Sequence, residues 1–370
     1  MKVIICGGGT GGHIYPALSI ADCLVEKRKN TEILFIGTAA GLESTLVPQK
    51  GYAFKTIRVR GFRRKLSLDT LKTLIELARG LTDASRVLKE FRPDIVIGTG
   101  GYVAGPVLLI AALKGVPTLV HEQNVLPGVT NRILGRFVDR IAVSFEEAKK
   151  HFSNTSKVVV TGNPVRKEIL GNNKEMSTRA FGFEPGIPLV LIFGGSRGSS
   201  KLNNAVLDVM SRITAQSRVQ LLHVTGEAHF EYFSSELKSR GIDLDRLYNV
   251  KVVPYMHRMP DALAAADVVV TSSGAITLAE ITAIGVPSIL IPKAHATDNH
   301  QEYNARAMEG KGAATVILEK ELSGERLYTE INRLVNDKRT LAQMREASRM
   351  LGRTDAADRI FDVVSQMLKL

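Results

Sequence analysis

Val3-Ile4-Ile5-Cys6-Gly7-Gly8-Gly9-Thr10-Gly11-Gly12 reads as a strand that turns through glycines into a helix beginning near Ile14. The apolar part does not alternate, so both faces of the strand are covered, as in a parallel sheet between helices. Leu189–Phe193 repeats the arrangement, entering Gly194-Gly195-Ser196-Arg197-Gly198 and a helix from about Leu202. Outward from these two openings, Ile33–Ile36, Asp94–Gly98, Thr118–His121, Ile141–Ser144 and Val158–Thr161 read as strands of the first half. Gln220–Val224, Val250–Val253, Asp267–Thr271 and Ser288–Ile291 do so in the second. Strands alternating with helical patterns define the doubly wound α/β class. A chain that opens twice in this way predicts two Rossmann-like domains facing across a cleft, each with a ligand loop after its first strand.

The turn cluster Thr161-Gly162-Asn163-Pro164 divides them. Residues 1–162 form the first expected domain and 163–350 the second. Residues 351–370 form a terminal helix, amphipathic from Asp355, able to pack back on either domain, the N-terminal one included. A length of 370 residues, 44% hydrophobic and 23% charged, suits two globular domains.

The formal charge of +12 implies anionic partners: nucleic acid, anionic lipid or phosphorylated substrates. Two cysteines, Cys6 and Cys23, make no disulfide or zinc framework, which fits a reducing cytoplasm. The N-terminal apolar run is too short for a signal peptide. Val103–Leu113, interrupted by Gly105 and Pro106, is too short to cross a bilayer, so membrane contact is expected to be peripheral.

Gly7, Gly9 and Gly12 satisfy the dinucleotide fingerprint G-x-G-x-x-G. A dinucleotide site also needs an acidic residue at the end of the second strand, and Phe35-Ile36-Gly37-Thr38 supplies none. The glycines keep another use. Without side chains, backbone N–H groups approach an anion, and a helix N-terminus adds partial positive charge. Gly98–Gly101 forms a further such loop. Nucleotide phosphates or sugars are the expected occupants, although any one glycine also serves a plain tight turn.

Gly8-Gly9-Thr10-Gly11-Gly12-His13-Ile14-Tyr15-Pro16, Gly100-Gly101-Tyr102-Val103-Ala104-Gly105-Pro106, His121-Glu122-Gln123-Asn124, Gly162-Asn163-Pro164-Val165-Arg166, Gly194-Gly195-Ser196 and Ser273-Gly274-Ala275-Ile276-Thr277 follow one another, with Asp298, Gln301 and Asn304 closing the series. This ordered set resembles the MurG family of peptidoglycan N-acetylglucosaminyltransferases, over residues 8 to about 305. Arg197, where Gln is usual, and Lys293, where an aromatic is common, depart from its pattern.

The resemblance implies the GT-B type of fold. It implies inverting transfer of N-acetylglucosamine from a uridine diphosphate (UDP) donor, UDP-N-acetylglucosamine, to undecaprenyl-linked muramyl-pentapeptide, without cofactor or metal. The C-terminal domain would hold the donor. Ser196 and the backbone of Ala275, Ile276 and Thr277 would contact the diphosphate, on a helix running through Leu278 and Ala279 to Glu280, the carboxylate for the ribose hydroxyls. Arg166 would neutralise the leaving diphosphate, the plainer reading being an interdomain ion pair. Met256 would meet the uracil through its backbone, and Gln301 and Asn124 would hydrogen-bond the sugar. Thr10, Gly11 and Gly12 would line the acceptor side.

The acceptor hydroxyl must lose a proton, a task for a side chain titrating near neutrality. His13 is the candidate base and Glu122 its rival. Asp243-Leu244-Asp245 has the spacing of a metal-binding pair but lies in a polar connection, where a solvated loop is the expectation.

Arg63, Arg64 and Lys65 precede a helical pattern in which Leu68, Ile75 and Leu77 exceed a single core stripe. Apolar residues rimmed by bases suit an anionic bilayer, and the resemblance implies a peripheral place on the cytoplasmic face of the inner membrane. No nucleic-acid-binding signature occurs, and Phe62 alone among aromatics interleaves with the bases. Two alternatives stand beside the transferase reading. One is another enzyme of the same architecture, a glycolipid synthase or nucleotide-sugar epimerase. The other is a non-catalytic subunit that binds the sugar nucleotide and recruits a partner to the membrane.

Overall fold

The computed structural model describes residues 1–59, 68–195 and 198–370. The chain divides into two compact units, one of residues 1–165 with 353–370 and one of residues 166–352. The expected membrane residues Arg63, Arg64 and Lys65, and the expected diphosphate contact Ser196 with its neighbour Arg197, lie outside the described residues.

In the first unit, the strands β1 (Lys2–Gly7), β2 (Glu32–Gly37), β3 (Ala53–Thr56), β4 (Ile95–Gly100), β5 (Thr118–Glu122), β6 (Arg140–Val143) and β7 (Val158–Val160) form one parallel sheet. Their order is β3-β2-β1-β4-β5-β6-β7. In the second, β8 (Leu189–Phe193), β9 (Gln220–Val224), β10 (Val250–Val253), β11 (Val268–Thr271), β12 (Ser288–Leu290) and β13 (Ala314–Val316) take the order β10-β9-β8-β11-β12-β13. Both sheets therefore run outward from the first strand of their half and reverse direction beside it, at β1/β4 and at β8/β11. In such sheets the reversal point is where a ligand crevice opens.

Burial explains why the strands are continuous apolar runs. Val3 and Ile5 join one core, with Ile14 and Leu18 of the helix Gly11–Lys27. Ile4 and Cys6 join another, with Val107 and Leu108 of the helix Ala104–Leu113 and Leu88 of Leu68–Phe91. Alternate side chains meet opposite helical layers, so every position is buried. Val190 and Ile192 against Leu191 and Phe193 divide β8 in the same way.

The last helix, Ala356–Leu368, packs on the first, Gly11–Lys27. Ile360, Val363 and Val364 enter the core of Val3 and Ile5, and Lys27 pairs with Asp358 at 2.7 Å. Gly162 turns the chain with φ +88°, and a Cβ there would lie 2.5 Å from Arg353 Cβ. Both ends of the polypeptide thus complete the first unit.

Two strands were not anticipated. β3 is largely exposed at a sheet edge, and β13 is three residues long. Neither carries the buried apolar run that marks the rest. The pair Asp243 and Asp245 forms a turn, in which Asp243 accepts the Asp245 N–H at 3.1 Å and pairs with Arg246 at 3.2 Å. Among the described residues, no group of His, Cys, Asp and Glu is arranged to hold a metal, and no helix is long and apolar enough to cross a membrane.

Candidate active site

The reversal point of the first sheet brings two glycine loops around His13. Thr10 is the extended N-cap of Gly11–Lys27, and its carbonyl accepts the His13 N–H at 3.1 Å. Gly11 and Gly12 form the first turn, and His13 follows on the loop side. Its Nδ1 lies 2.9 Å from Gly8 O. A carbonyl only accepts, so Nδ1 carries the hydrogen and Nε2 presents a lone pair. The second loop is glycine because the imidazole lies on it. A Cβ at Gly100 would come 3.1 Å from His13 Cδ2, and one at Gly101 would come 2.6 Å from Gly8 O.

Glu122 is placed differently. At 1% exposure, its Oε1 accepts from Asn124 N at 2.9 Å and Asn124 Nδ2 at 3.1 Å. Its Oε2 accepts from Gly128 N at 3.1 Å and Asn131 Nδ2 at 2.8 Å. A carboxylate with four donors, two of them backbone, holds the loop after β5 in shape. Asn124, expected at the sugar, gives its amide nitrogen to this network.

The neighbours of Glu122 are structural in the same sense. His121 Nε2 donates to Gly162 O at 3.0 Å, and Gln123 Nε2 reaches Thr99 O at 2.7 Å and His121 Nδ1 at 3.1 Å. Asn163 Nδ2 donates to Gln123 O at 3.0 Å. The motif thereby ties the ends of β4 and β5 to the turn after β7.

In the second unit, β11 leads through Ser272-Ser273-Gly274 into the helix Ala275–Ile284. Gly274 supplies no side-chain cap to its first turn, where a helix start offers N–H groups and partial positive charge to an anion. Ala275 and Leu278 are buried, while Ile276, Thr277 and Ala279 are half-buried. Glu280, the helix's one charged residue, is buried, and Arg166 reaches its Oε1 with Nε at 2.9 Å and Nη2 at 2.8 Å. Burial pushes the Glu280 carboxyl above its ordinary range, and the Arg166 guanidinium draws it part of the way back. The residue expected at the ribose and the one expected at the diphosphate are thus partners, and the pair lies within one unit.

Gln301 and Asn304 tie the helix His300–Gly310 to this turn. Ser273 Oγ donates to Gln301 O at 2.6 Å, and Asn304 Nδ2 to Ser273 O at 3.2 Å. Gln301 Oε1 accepts the Lys293 N–H at 3.0 Å, and Lys293 Nζ reaches Gly198 O at 3.0 Å. The departure at Lys293 therefore places an ammonium beside the glycine loop after β8. Met256, half-buried after β10, packs on the core of Leu222 and Val224.

One residue escaped the sequence reading. Glu43, 1% exposed, accepts the Gly9 N–H at 3.0 Å, the Thr38 N–H at 3.0 Å and the Thr38 hydroxyl at 2.9 Å. The fingerprint loop thus spends on an internal carboxylate the N–H that a dinucleotide site turns to pyrophosphate. Its sequence setting, Gly41-Leu42-Glu43-Ser44, resembles any helix start.

Two parallel sheets of one order, each with a glycine turn at its reversal point and polar residues gathered there, define a protein of two Rossmann-like, doubly wound units. Residues 3–143 match the glycosyltransferase family 28 N-terminal domain and 189–360 the family 28 C-terminal domain. A relative from Thermoanaerobacter sp. (strain X514) is 50% identical over 99% of this chain and 100% of its own length. One from Acetivibrio thermocellus is 49% identical over 100% of this chain and 99% of its own. Both are named UDP-N-acetylglucosamine–N-acetylmuramyl-(pentapeptide) pyrophosphoryl-undecaprenol N-acetylglucosamine transferase. The crystal structure of Acinetobacter baumannii MurG superposes with a TM-score of 0.79 at 26% identity, covering 99% of each chain. The chain belongs to glycosyltransferase family 28 and, within it, to the MurG family.

Two buried imidazoles give this architecture a pH signature. Burial lowers His121, in the first unit, and His223, in the second, to a pKa of about 4. The unfolded chain takes up these protons near pH 6.5, so stability is full above 6.5 and is lost as pH falls toward 4. Between pH 7.5 and 5.5 each histidine should cost its unit about 1.4 kcal/mol. Denaturant unfolding at the two pH values, with His223→Gln removing its share from the second unit, checks this. An unchanged pH dependence in His223→Gln would show that His223 is not held neutral.

Proposed function

We propose that this glycosyltransferase moves N-acetylglucosamine from UDP-N-acetylglucosamine to the 4-hydroxyl of undecaprenyl-linked muramyl-pentapeptide, with inversion. The observation that carries the reading is the full-length identity, near one half, to relatives named for that transfer. It outweighs the glycolipid synthase, the epimerase and the non-catalytic subunit, none of which those names describe.

The donor belongs on the second unit. Glu280 keeps Oε2 outside its contacts with Arg166, both of which fall on Oε1. A carboxylate so placed accepts ribose hydroxyls without surrendering its counter-ion. The first turn at Ala275, Ile276 and Thr277, with Ser196, takes the diphosphate, and Arg166 offsets the charge that grows on it as it leaves. Gln301 and Asn124 are assigned to the sugar and the Met256 backbone to the uracil. These roles come from the family resemblance.

The acceptor belongs on the first unit, beside Thr10, Gly11 and Gly12. His13 Nε2 takes the proton of the 4-hydroxyl as that oxygen bonds to the anomeric carbon. The carbon–oxygen bond to the diphosphate breaks on the opposite side, and its electron pair leaves with UDP. Glu122, already holding four donors, is the weaker candidate for this proton.

The lipid tail asks for a membrane surface, and the cytoplasmic face of the inner membrane is the proposed location. Ile75 is 46% exposed on Leu68–Phe91, which packs on Ala104–Leu113, and that helix in turn meets Val129–Leu134. There Val129, Ile133 and Phe137 are exposed beside the exposed Arg132 and Arg136. Exposed apolar side chains beside bases suit anionic lipid rather than nucleic acid, and the basic run Arg63, Arg64 and Lys65 ahead of Leu68 in the sequence adds to that character.

Three measurements test the proposal. His13→Ala should lower kcat for sugar transfer onto lipid-linked muramyl-pentapeptide by roughly 10²–10⁴ and leave UDP affinity unchanged. A dead Glu122→Gln beside a mild His13→Ala would move the base to Glu122. In calorimetry, Glu280→Ala should weaken UDP binding, and parental affinity should decline with acidity because a protonated Glu280 no longer accepts two hydroxyls. Equal affinity in both proteins removes Glu280 from the donor site. Arg132→Glu with Arg136→Glu should release the protein from anionic vesicles and spare UDP binding; unchanged vesicle binding rejects this surface.

A further inference from the structure

Glu43 has no part in the reaction as proposed, yet three glycines make room for it. A Cβ at Gly8, Gly37 or Gly41 would lie 2.3, 2.4 and 2.1 Å from Glu43 atoms. Burying a carboxylate costs several kcal/mol unless hydrogen bonds repay it, and here the donors are Gly9 N, Thr38 N and Thr38 Oγ1. Oε1 is anchored on Thr38, at the end of β2. Oε2 is left to hold the loop after β1.

The bond to Gly9 acts on more than one atom. Gly9 N–H and Gly8 C=O belong to the same peptide group, planar and trans, so they point in opposite directions. Glu43 Oε2 takes the N–H on one side, and His13 Nδ1 meets the carbonyl on the other. Gly9 has φ +86°, where side chains rarely sit, so another contact must hold this peptide in its orientation. A charged acceptor on the N–H also polarises the carbonyl, strengthening it as an acceptor for Nδ1–H. Free histidine favours the hydrogen on Nε2. This loop demands it on Nδ1.

We propose that Glu43 is a positioning residue for His13. Through the Gly8–Gly9 peptide it fixes the Nδ1–H tautomer and leaves Nε2 as the proton-accepting atom. The proposal rests on the reading of His13 as the base. It also gives the fingerprint loop a purpose here: the N–H turned to pyrophosphate in a dinucleotide site is turned inward to orient a base.

The test uses the full chain in two variants. Glu43→Gln keeps the shape but offers one acceptor oxygen for two and turns an amide N–H toward a donor. Thr38→Val removes one of the three hydrogen bonds and serves if Glu43→Gln does not fold. Nitrogen NMR of isotopically labelled histidine, at a pH where the imidazoles are neutral, reads the tautomer, with His13 assigned by its loss in His13→Gln. The parent should show His13 protonated on Nδ1. Glu43→Gln should shift it toward Nε2–H and lower kcat between roughly 10- and 100-fold, with acceptor KM and UDP affinity little changed. Thr38→Val should move both readouts in the same direction by less. A folded Glu43→Gln or Thr38→Val whose His13 tautomer matches the parent overturns the proposal. A shifted tautomer with undiminished kcat, in a protein where His13→Ala is also fully active, overturns instead the reading of His13 as base.

Discussion

The structure depends on what happens to backbone N–H groups where a buried parallel strand turns into a helix. Such a turn leaves donors without intrahelical partners, and glycines bring them close to whatever lies opposite. The fold builds this turn beside each sheet's reversal point, after β1 and after β11, and treats the two differently. After β1, Gly9 N–H is spent inside the protein on Glu43. After β11, Gly274 brings no side-chain cap, and Ser273 faces sideways to Gln301. One turn is closed by an internal anion, and the other is tied sideways to the helix His300–Gly310.

The electrostatics follow. A formal charge of +12 is spread over the chain, but three carboxylates of the two candidate sites are buried: Glu43 and Glu122 in the first unit, Glu280 in the second. The first two are satisfied by neutral donors. Glu280 has a guanidinium, and that difference matters chemically. A carboxylate locked by backbone amides is scaffold, whereas Glu280 has a half-exposed guanidinium as its counter-ion, and removing that partner would leave an uncompensated buried charge. Both Arg166 contacts fall on Glu280 Oε1, so the pair keeps its charges together within the second unit.

Much of this was legible in the residues. Continuous apolar runs located the buried strands, and Leu189–Phe193, Gln220–Val224 and Val250–Val253 agree with the structure at both ends. The edge strand β3 and the short β13 escaped because burial, the property being read, is weak or brief there. Positions in the site were legible through motif order, but their partners were not. Nothing in a sequence says that Arg166 will rest on Glu280, 114 positions away, or that Glu122 will collect four donors. Glu43 was invisible for the same reason. Its place is set by Gly8 in the loop after β1 and by Gly37 and Gly41 at and beyond the end of β2, and each alone reads as an ordinary turn.

The repeat within the chain makes the last step general. Two units share strand order and the position of their loops, so fold alone would assign them one task. Their difference lies in a few side chains around those loops, a buried glutamate behind the loop after β1 and a lysine beside the loop after β8. Glu43 pulls a peptide inward and so can aim an imidazole; Lys293 lies against Gly198 and raises the positive potential at its loop. Proton removal needs a neutral, oriented base, while release of a nucleoside diphosphate needs positive charge. A duplicated scaffold is open to either task because the helix turn is neutral in what it offers: donors whose use is decided by the group placed opposite them.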